Sequence, residues 1–324
     1  MTALYLHVGM PKCGTTALQN ILHESRETLK KSSILYPLLR ERDPFHHQLY
    51  FSLMHDPEAF EKHSKKIINE SHCYQTVILS SENFSWNSNI NVAQKVHDRF
   101  SGHYENIKIV IYFRNIYSYL NSWYSEHIQS YENQGTTLPS EFLSPSRLAA
   151  AKLPRIHNIW ATVFGAENII TKIYDKNVFK ETPIEEDFLS VINPQKTYQL
   201  NKIDRKHNVS LNYQALLLKR HLNSQININN KQLHNGLKVA IVKAASNESL
   251  FDKNFWLLSN DHILQIEEAF KDDFEKLKEI IPGKDASFLY AKPEAHLLPT
   301  DEQEKKVITW IEKMIIPQTS NLRQ

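Results

Sequence analysis

The start of the chain contains the feature that most restricts how the protein can fold. An apolar run at residues 3–8 is too short for a core helix, and a segment containing Gly and Pro follows it at residues 9–16. Apolar residues then recur with helical spacing over residues 17–22. This order predicts a strand, a loop and a helix. A loop placed in this way in front of a helix N-terminus is suited to bind an anion such as phosphate.

The residues of the loop indicate which kind of anion it binds. Backbone N–H groups and the helix dipole favour negative charge at this place. Gly9 and Gly14 have the spacing of the nucleotide-binding pattern G-x-x-x-x-G-K-[ST], but Thr15 stands where that pattern has Lys, and Lys12 lies inside the loop instead. A Lys after the second Gly reaches the β- and γ-phosphates of a triphosphate. Its displacement favours a donor with two adjacent anionic groups and no magnesium, held by Lys12 and the hydroxyls of Thr15 and Thr16.

The loop also carries a family resemblance. The run Pro11-Lys12-Cys13-Gly14-Thr15-Thr16 resembles the 5′-phosphosulfate loop of sulfotransferases that use 3′-phosphoadenosine 5′-phosphosulfate (PAPS). The resemblance implies that these six residues bind PAPS and that the product is 3′-phosphoadenosine 5′-phosphate. It also implies that the reaction requires no metal ion. The alternative without a ligand is an ordinary turn between a strand and a helix.

Length, composition and charge limit the fold class and the partners. With 324 residues, 41% of them hydrophobic, the chain can form one large α/β domain. We predict a three-layer P-loop-like fold with a central, mainly parallel sheet flanked by helices, plus a helical C-terminal portion. The predicted organisation is a PAPS-binding core at residues 1–212 and a helical extension at residues 213–324, packed as one continuous domain. A net charge of +2 without a basic stripe argues against nucleic acid as a partner.

Cysteine content and hydropathy bear on the location of the protein. The sequence contains only Cys13 and Cys73, which excludes a disulfide framework, and their spacing matches no zinc pattern. No apolar run reaches the ~18 residues of a membrane span, and residues 1–3 lead directly into a strand without a signal peptide. Golgi-resident members of the resembled family carry an N-terminal anchor. We therefore expect a cytoplasmic, microbial protein.

A second strand ends close to a candidate catalytic carboxylate. Residues 75–82 form an apolar run that closes on two serines and Glu82. Since the carboxyl ends of parallel strands line the ligand crevice, Glu82 is a candidate site residue. The resemblance implies that the catalytic base, often a His, lies here, and a Glu can likewise accept the proton of an acceptor hydroxyl. The other interpretation is that Glu82 caps the next element or pairs with Lys12 or Arg114.

Two adjacent histidines, His46 and His47, precede a predicted helical segment around residues 49–53. Adjacent residues on a helix point ~100° apart, so the pair is poorly arranged to share one metal ion. We expect one of them to face the substrate or to form a hydrogen bond in the core. His47 belongs to the predicted catalytic set, with either histidine as a substitute for Glu82 as the base.

A third strand, residues 107–113, is rich in β-branched residues and ends at Arg114. This composition is typical of an internal parallel strand. A magnesium-dependent nucleotide-hydrolysing enzyme would have Asp at such a strand end. Arg114 and Ser122, which lies on the following helix, resemble the pair that binds the 3′-phosphate of PAPS in the family. A guanidinium forks onto phosphate oxygens, and a hydroxyl adds a third hydrogen bond.

Two further residues are candidates for contact with the rest of the nucleotide. A predicted helix ending at Gly165 is followed by a strand at residues 169–175. The resemblance implies that Tyr174, at the end of this strand, packs near the adenine. The family has a basic, glycine-rich segment in the region of residues 202–212. The glycines are absent here, and Arg205 is a candidate by its charge alone.

Together these features predict a sulfotransferase that passes a sulfuryl group from PAPS to an acceptor hydroxyl. Aromatic residues on the helix at residues 117–131 favour a carbohydrate or glycan precursor as the acceptor, although they could equally belong to the core. A small alcohol is also possible, and the oligomeric state stays open. The alternatives are an atypical P-loop kinase and a nucleotide-binding module without catalytic activity.

Overall fold

The structure is a computed structural model that describes residues 2–86, 89–175, 178–201, 211–251, 254–281 and 284–315. The chain forms two compact units, each assembled from three segments of sequence. The first unit consists of Met1–Asn115, Lys152–Lys206 and Asp272–Tyr290, and the second of Ile116–Ala151, His207–Lys271 and Ala291–Gln324. The predicted division at residues 212 and 213 stays a prediction, since residues 202–210 lie outside the described part.

The first unit contains a sheet in which all paired strands are parallel. Its strands are β1 (Ala3–His7), β2 (Ile34–Leu35), β3 (Thr76–Ser80), β4 (Asn106–Arg114) and β5 (Ile169–Tyr174). Their spatial order is β2-β3-β1-β4-β5, so β1 is central and the loop after it lies beside the ends of β3 and β4. The register pairs His7 with Ser80 and with Val110. The sheet confirms the predicted α/β class with a parallel central sheet.

Helices make up most of the remaining regular structure. In chain order they are α1 (Thr15–Glu24), α2 (Arg26–Lys31), α3 (His47–His55), α4 (Pro57–Ser71), α5 (Asn83–Trp86), α6 (Ile90–Phe100), α7 (Ile116–Gln129), α8 (Pro139–Phe142), α9 (Pro145–Ala150), α10 (Leu153–Phe164), α11 (Val178–Glu181), α12 (Ile184–Ile192), α13 (Tyr213–Gln225), α14 (Lys231–Asn247), α15 (Asn260–Ile280), α16 (Lys284–Leu289) and α17 (Asp301–Ile315). Helix α10 packs on β4 and β5, and α1 packs on α12. The predicted helical C-terminal portion is therefore confirmed within the described residues.

The first helical segment is broken into two helices, α1 and α2. Helical spacing in the sequence would instead continue one helix across their junction. The structure interrupts it at Ser25, whose backbone has φ −92° and ψ 8°. Ser25 is fully buried, and its Oγ accepts a hydrogen bond from the backbone N–H of Asn201 at 2.9 Å. The Ser25 side chain at this break thus bonds to a segment far away in the sequence, and the periodicity of apolar residues cannot reveal such a contact.

Burial of the sheet explains its all-parallel form. All five residues of β3 and the last six of β4 are buried, as expected for strands covered on both faces. Two histidines share this interior. His7, at the end of β1, is fully buried, and His46 has 1% exposure. His46 Nε2–H donates to the carbonyl of Pro37 at 2.7 Å, and its Nδ1 accepts from the backbone N–H of Ser80 at 2.9 Å.

We predict that these two histidines make stability depend on pH. Burial lowers the pKa of His7 to about 3 and that of His46 to about 4, from the ordinary 6.5. Both rings stay neutral in the folded protein while the unfolded chain takes up protons below pH 6.5. Their contribution is therefore complete above that pH and is lost as the pH falls to about 4 for His46 and to about 3 for His7, at about 1.4 kcal/mol per pH unit for each histidine. Urea unfolding at a series of pH values measures this slope.

The variant His46→Asn should reduce the slope of the free energy of unfolding against pH by the amount that one histidine contributes. His103→Asn, which removes a histidine from the exposed surface, is the matched control and should leave the slope as in the wild type. An unchanged slope in His46→Asn would show that His46 does not carry this linkage.

Candidate active site

The loop between β1 and α1 has an unusual backbone. Val8 N–H still bonds to the carbonyl of Val110 at 3.0 Å, which continues the sheet beyond β1. Lys12 and Gly14 then adopt left-handed conformations, with φ 65° and φ 75°. A positive φ is uncommon for a residue other than glycine. The left-handed conformation of Lys12 therefore requires support from its surroundings.

Arg114 gives part of that support. Its Nη1 donates a hydrogen bond of 2.8 Å to the carbonyl oxygen of Lys12. Arg114 is the last residue of β4 and is only 8% exposed. The predicted anion-binding arginine is thus brought to the predicted anion-binding loop, where it contacts the loop backbone.

Tyr174 also packs against the loop. It ends β5 opposite Arg114 in the register, and the guanidinium carbon lies 5.9 Å from the centre of its ring. A Cβ added to Gly14 would lie 2.8 Å from Tyr174 Cε2 and 2.9 Å from Ile184 Cδ1. Glycine is therefore required at position 14 for two reasons: the backbone is left-handed, and the neighbouring side chains leave no room for a Cβ.

Gly9 is required because the ring of His7 leaves no room for a side chain. A side chain there would overlap the ring of His7, whose Nε2 is the nearest atom to the position of the added Cβ. The other ring nitrogen, Nδ1, is 2.8 Å from Ser80 Oγ. Ser85 Oγ donates to the carbonyl of Gly9 at 2.8 Å and so ties the loop to α5. Gly9 therefore allows the loop backbone to pack closely against the buried ring of His7, whether or not a ligand lies near the loop.

The N-terminus of α1 is arranged to receive an anion. The first helical backbone bond runs from Leu18 N–H to the carbonyl of Gly14 at 3.1 Å, so the amides of residues 15–17 lie before it and have no acceptor within the helix. Gly14 occupies the N-cap position and has no side chain with which to cap them. Thr15 is buried and Thr16 is exposed. Helix amides in this state fit the negatively charged group that the sequence predicts.

Pro11 and Cys13 complete the predicted loop residues. Pro11 is half-buried, whereas Cys13 is fully buried. Burial raises the pKa of the Cys13 thiol to about 12, although the charge of Arg114 acts in the opposite direction. The thiol therefore stays protonated and inaccessible, and a ligand could meet only the backbone of Cys13.

Glu82 lies two residues after β3, within contact of α1. Its Oε2 accepts a hydrogen bond from Gln19 Nε2 at 3.1 Å and is 3.7 Å from His47 Nε2. The side chains of Glu82 and His47 are 19% and 26% exposed. The structure thus brings together the two residues that the sequence offers as alternative bases.

The structure also separates the roles of the two histidines. His46 belongs to the core, as its two hydrogen bonds and its burial show. His47 Nδ1 is 2.8 Å from Ser81 Oγ, and its ring stacks on Phe45 with 5.0 Å between ring centres. His47, with a 26% exposed side chain, is the more exposed member of the pair.

The remaining predicted site residues are Ser122 and Arg205. Ser122 is a half-buried residue on α7, in the second unit. Arg205 lies outside the described residues. Tyr124, on the aromatic helix α7, is fully buried, donates to the carbonyl of Thr137 at 2.7 Å and packs on Phe142. It is a core residue, which removes part of the reason to expect a sugar-binding groove there.

Sequence reasoning missed Gln19 and Ser85. Gln19 is fully buried on the face of α1 that carries Leu18 and Leu22. A polar residue inside a predicted apolar helix face is the signal that could have identified it. Ser85 follows Glu82 by three residues and bonds to its carbonyl at 2.9 Å. A serine three residues after a strand-end carboxylate is too common to have been singled out.

The second unit contains a cavity of about 700 Å³. Among the residues that the structure describes, its lining consists of Thr136, Leu138, Pro139, Ser140, Leu217, Arg220, His221, Ser224, Leu257, Ser259, Asp261, His262, Asp301, Glu304, Ile308, Ile311 and Glu312. None of the predicted site residues belongs to this lining.

Within the described ranges, no group of three or more His, Cys, Asp or Glu residues is arranged to hold a metal ion. No helix of the described part combines the length and the apolar character that crossing a bilayer requires.

Comparison with known proteins gives structural neighbours only. No family model matches the chain, and no curated protein matches it. The chain is similar to a crystal structure of a sulfotransferase from Alicyclobacillus acidocaldarius, with 15% identity and a TM-score of 0.45, over 86% of this chain and 94% of the other.

Two sulfotransferase domains are similar as well. The domain from the Synechococcus PCC 7002 olefin synthase has 11% identity and a TM-score of 0.34, over 76% of this chain and 94% of its own length. The domain from the curacin biosynthetic pathway has 10% identity and a TM-score of 0.38, over 83% and 97%. All three neighbours are sulfotransferases, the family that the loop sequence resembles. Because each TM-score is below 0.5, the functional proposal rests on the residues of this chain.

We predict that Gly14→Ala destabilises the protein while Gly236→Ala stabilises it. At Gly14 the left-handed backbone alone costs roughly 1–2 kcal/mol for a residue with a Cβ, and Tyr174 blocks the added atom. At Gly236, within α14, an added Cβ meets nothing within 4 Å, so the free energy of unfolding should rise by roughly 0.5–1 kcal/mol. Chemical denaturation measures both. Equal effects of the two substitutions would contradict a left-handed backbone at Gly14.

Proposed function

We propose that the protein is a sulfotransferase that transfers a sulfuryl group from PAPS to a hydroxyl of an acceptor molecule. The observation that carries the proposal is the arrangement around α1. The first amides of this helix have no acceptor within the helix, and the loop that precedes them contains Lys12. One turn further along, Gln19 contacts the carboxylate of Glu82. The candidate anion site and the candidate proton acceptor are therefore both in contact with the same helix, α1.

The loop supports the assignment of the donor. The amides at the start of α1, with the hydroxyls of Thr15 and Thr16, would hold the 5′-phosphosulfate, and Lys12 would add a positive charge. Tyr174 would lie at the adenine end, as the family resemblance implies. Arg114 would bind the 3′-phosphate, whereas Ser122 and Arg205 stay candidates from the sequence alone. Residues 11–16 fit such a group because the backbone amides at the start of α1 and the charge of Lys12 favour an anion.

The chemistry of the chain's own residues follows from these positions. PAPS supplies the sulfuryl group, and its nucleotide part leaves as 3′-phosphoadenosine 5′-phosphate. Lys12 and the loop amides stabilise the negative charge that collects on the leaving phosphate. Glu82 receives the proton of the acceptor hydroxyl, with His47 beside it as the alternative base. General base catalysis of this kind contributes roughly 10²–10⁴ to a rate.

The acceptor is proposed only as a hydroxyl-bearing molecule, either a glycan precursor or a small alcohol. The burial of Tyr124 lowers the weight of the carbohydrate proposal, whereas Trp123 on the same helix stays half-buried. The cytoplasmic location is likewise a part of the proposal.

We predict that 3′-phosphoadenosine 5′-phosphate binds the wild-type protein and that ATP with magnesium binds far more weakly or not at all. Lys12→Ala should weaken the nucleotide's binding about tenfold or more, because it removes a charge-assisted contact worth roughly 1.5–3 kcal/mol. Titration calorimetry measures these affinities. Lys31→Ala, a change at the exposed last residue of α2, is a control that should leave binding unchanged.

Transfer is tested with sulfur-labelled PAPS and a panel of sugars and alcohols. Labelled product with at least one acceptor supports the proposal. Tight binding of the nucleotide with no transfer to any acceptor would favour the binding module instead. Magnesium-dependent binding of ATP in preference to the adenosine phosphate would favour the P-loop kinase.

A further inference from the structure

Gln19 makes contacts that its place on a buried helix face does not require. It is fully buried on α1, next to leucines on the same face. Its Nε2 donates to Glu82 Oε2 at 3.1 Å and to the carbonyl of Ser80 at 3.3 Å. Since both partners are acceptors, the amide nitrogen must face them, which fixes the orientation of the side chain.

The other end of this amide is left without a partner. Gln19 Oε1 is buried and, among the described residues, accepts no hydrogen bond. Leaving a buried acceptor unsatisfied is unfavourable, and such groups in folded proteins require an explanation. An apolar residue at this position would avoid the cost. The benefit of the glutamine must therefore lie in the two bonds made by its Nε2.

Both observed contacts of the Glu82 carboxylate converge on the same oxygen. Gln19 Nε2 and His47 Nε2 approach Oε2, at 3.1 Å and 3.7 Å. Among the described residues, Oε1 of this carboxylate accepts no hydrogen bond. The carboxylate is thus held by one oxygen, while the side chain as a whole stays 19% exposed.

The position of Gln19 along α1 links this carboxylate to the anion site. Thr15 is the first residue of α1, and Gln19 follows it by four residues. Residues at this spacing lie on the same helix face, about 6 Å apart along the axis. A single helix therefore sets the distance between the amides that receive the donor and the carboxylate that receives the proton.

We propose that Gln19 is a positioning residue for Glu82. It holds Oε2 so that Oε1 is directed to the acceptor hydroxyl and takes its proton as the acceptor oxygen bonds to sulfur and the bond from sulfur to the leaving phosphate oxygen breaks. This inference rests on the proposed sulfotransferase function. It adds a specific atom for the proton and a residue that the sequence pattern did not select.

The test compares Gln19→Met, which keeps the length but cannot donate, with Asn20→Ala as a matched control. Asn20 lies beside Gln19 on α1, but its side chain bonds to the carbonyl of Thr16. With labelled PAPS, Gln19→Met should lower kcat about ten- to a hundredfold, as expected for loss of one hydrogen bond to a charged group. The KM for PAPS should stay unchanged, and the acid limb of the pH–rate profile should move to higher pH. Asn20→Ala should match the wild type in all three respects.

A second variant separates positioning from packing. Gln19→Glu keeps the length and polarity but brings a second carboxylate to Glu82, so it should fail to restore kcat. Restoration by Gln19→Glu, or a loss in Gln19→Met that appears only as lower thermal stability with an unchanged pH profile, would overturn the proposal.

A crystallographic measurement tests the same inference without activity. In the wild type and in Asn20→Ala the Glu82 carboxylate should occupy one conformation, whereas in Gln19→Met it should occupy several. One unchanged conformation in Gln19→Met would refute the positioning role, even if the wild type transfers sulfate. Absence of transfer in the wild type, with the carboxylate released in Gln19→Met, would refute the proposed function and leave Gln19 as the residue that orients Glu82.

Discussion

The hydrogen bond from the Arg114 guanidinium to the carbonyl of Lys12 is the interaction on which the candidate site depends. It joins the end of β4 to the loop after β1, and it acts where the loop backbone is left-handed at a residue that is not glycine. A hydrogen bond from a charged donor is worth roughly 1.5–3 kcal/mol, comparable to the cost of that backbone. The arginine can therefore stabilise the loop in a conformation that leaves the first amides of α1 open.

The parallel sheet makes this bond possible. With β1 in the centre, the carboxyl ends of β3, β4 and β5 lie along one edge of the sheet. Glu82, Arg114 and Tyr174 come from these three ends, as the general rule for ligand sites on parallel sheets predicts. Helix α1 then extends the loop into the interior, where Gln19 contacts Glu82. Residues far apart in sequence thereby acquire fixed positions around one helix terminus.

Much of this arrangement could be predicted from the sequence, and the reasons are physical. Short apolar runs bounded by Gly, Pro or charged residues located β1, β3, β4 and β5. The signal was clearest for β3 and β4, because buried parallel strands tolerate little else. Strand ends identified Glu82 and Arg114. The break of the first helix at Ser25 and the burial of Tyr124 were not predictable, since both depend on partners distant in the chain. The need for glycine at position 9 was not predictable either, because the contact with the ring of His7 that excludes a side chain there depends on the folded structure.

The central claim is that the N-terminus of α1 receives the 5′-phosphate end of a sulfated nucleotide beside Glu82. The most direct measurement is a crystal structure of the wild-type protein with 3′-phosphoadenosine 5′-phosphate. The account predicts the 5′-phosphate within hydrogen-bonding distance of the amides of residues 14–16 and of Lys12, with the Glu82 carboxylate facing the open side of that phosphate. A nucleotide bound elsewhere, or a loop closed by its own side chains while the nucleotide is bound, would contradict it.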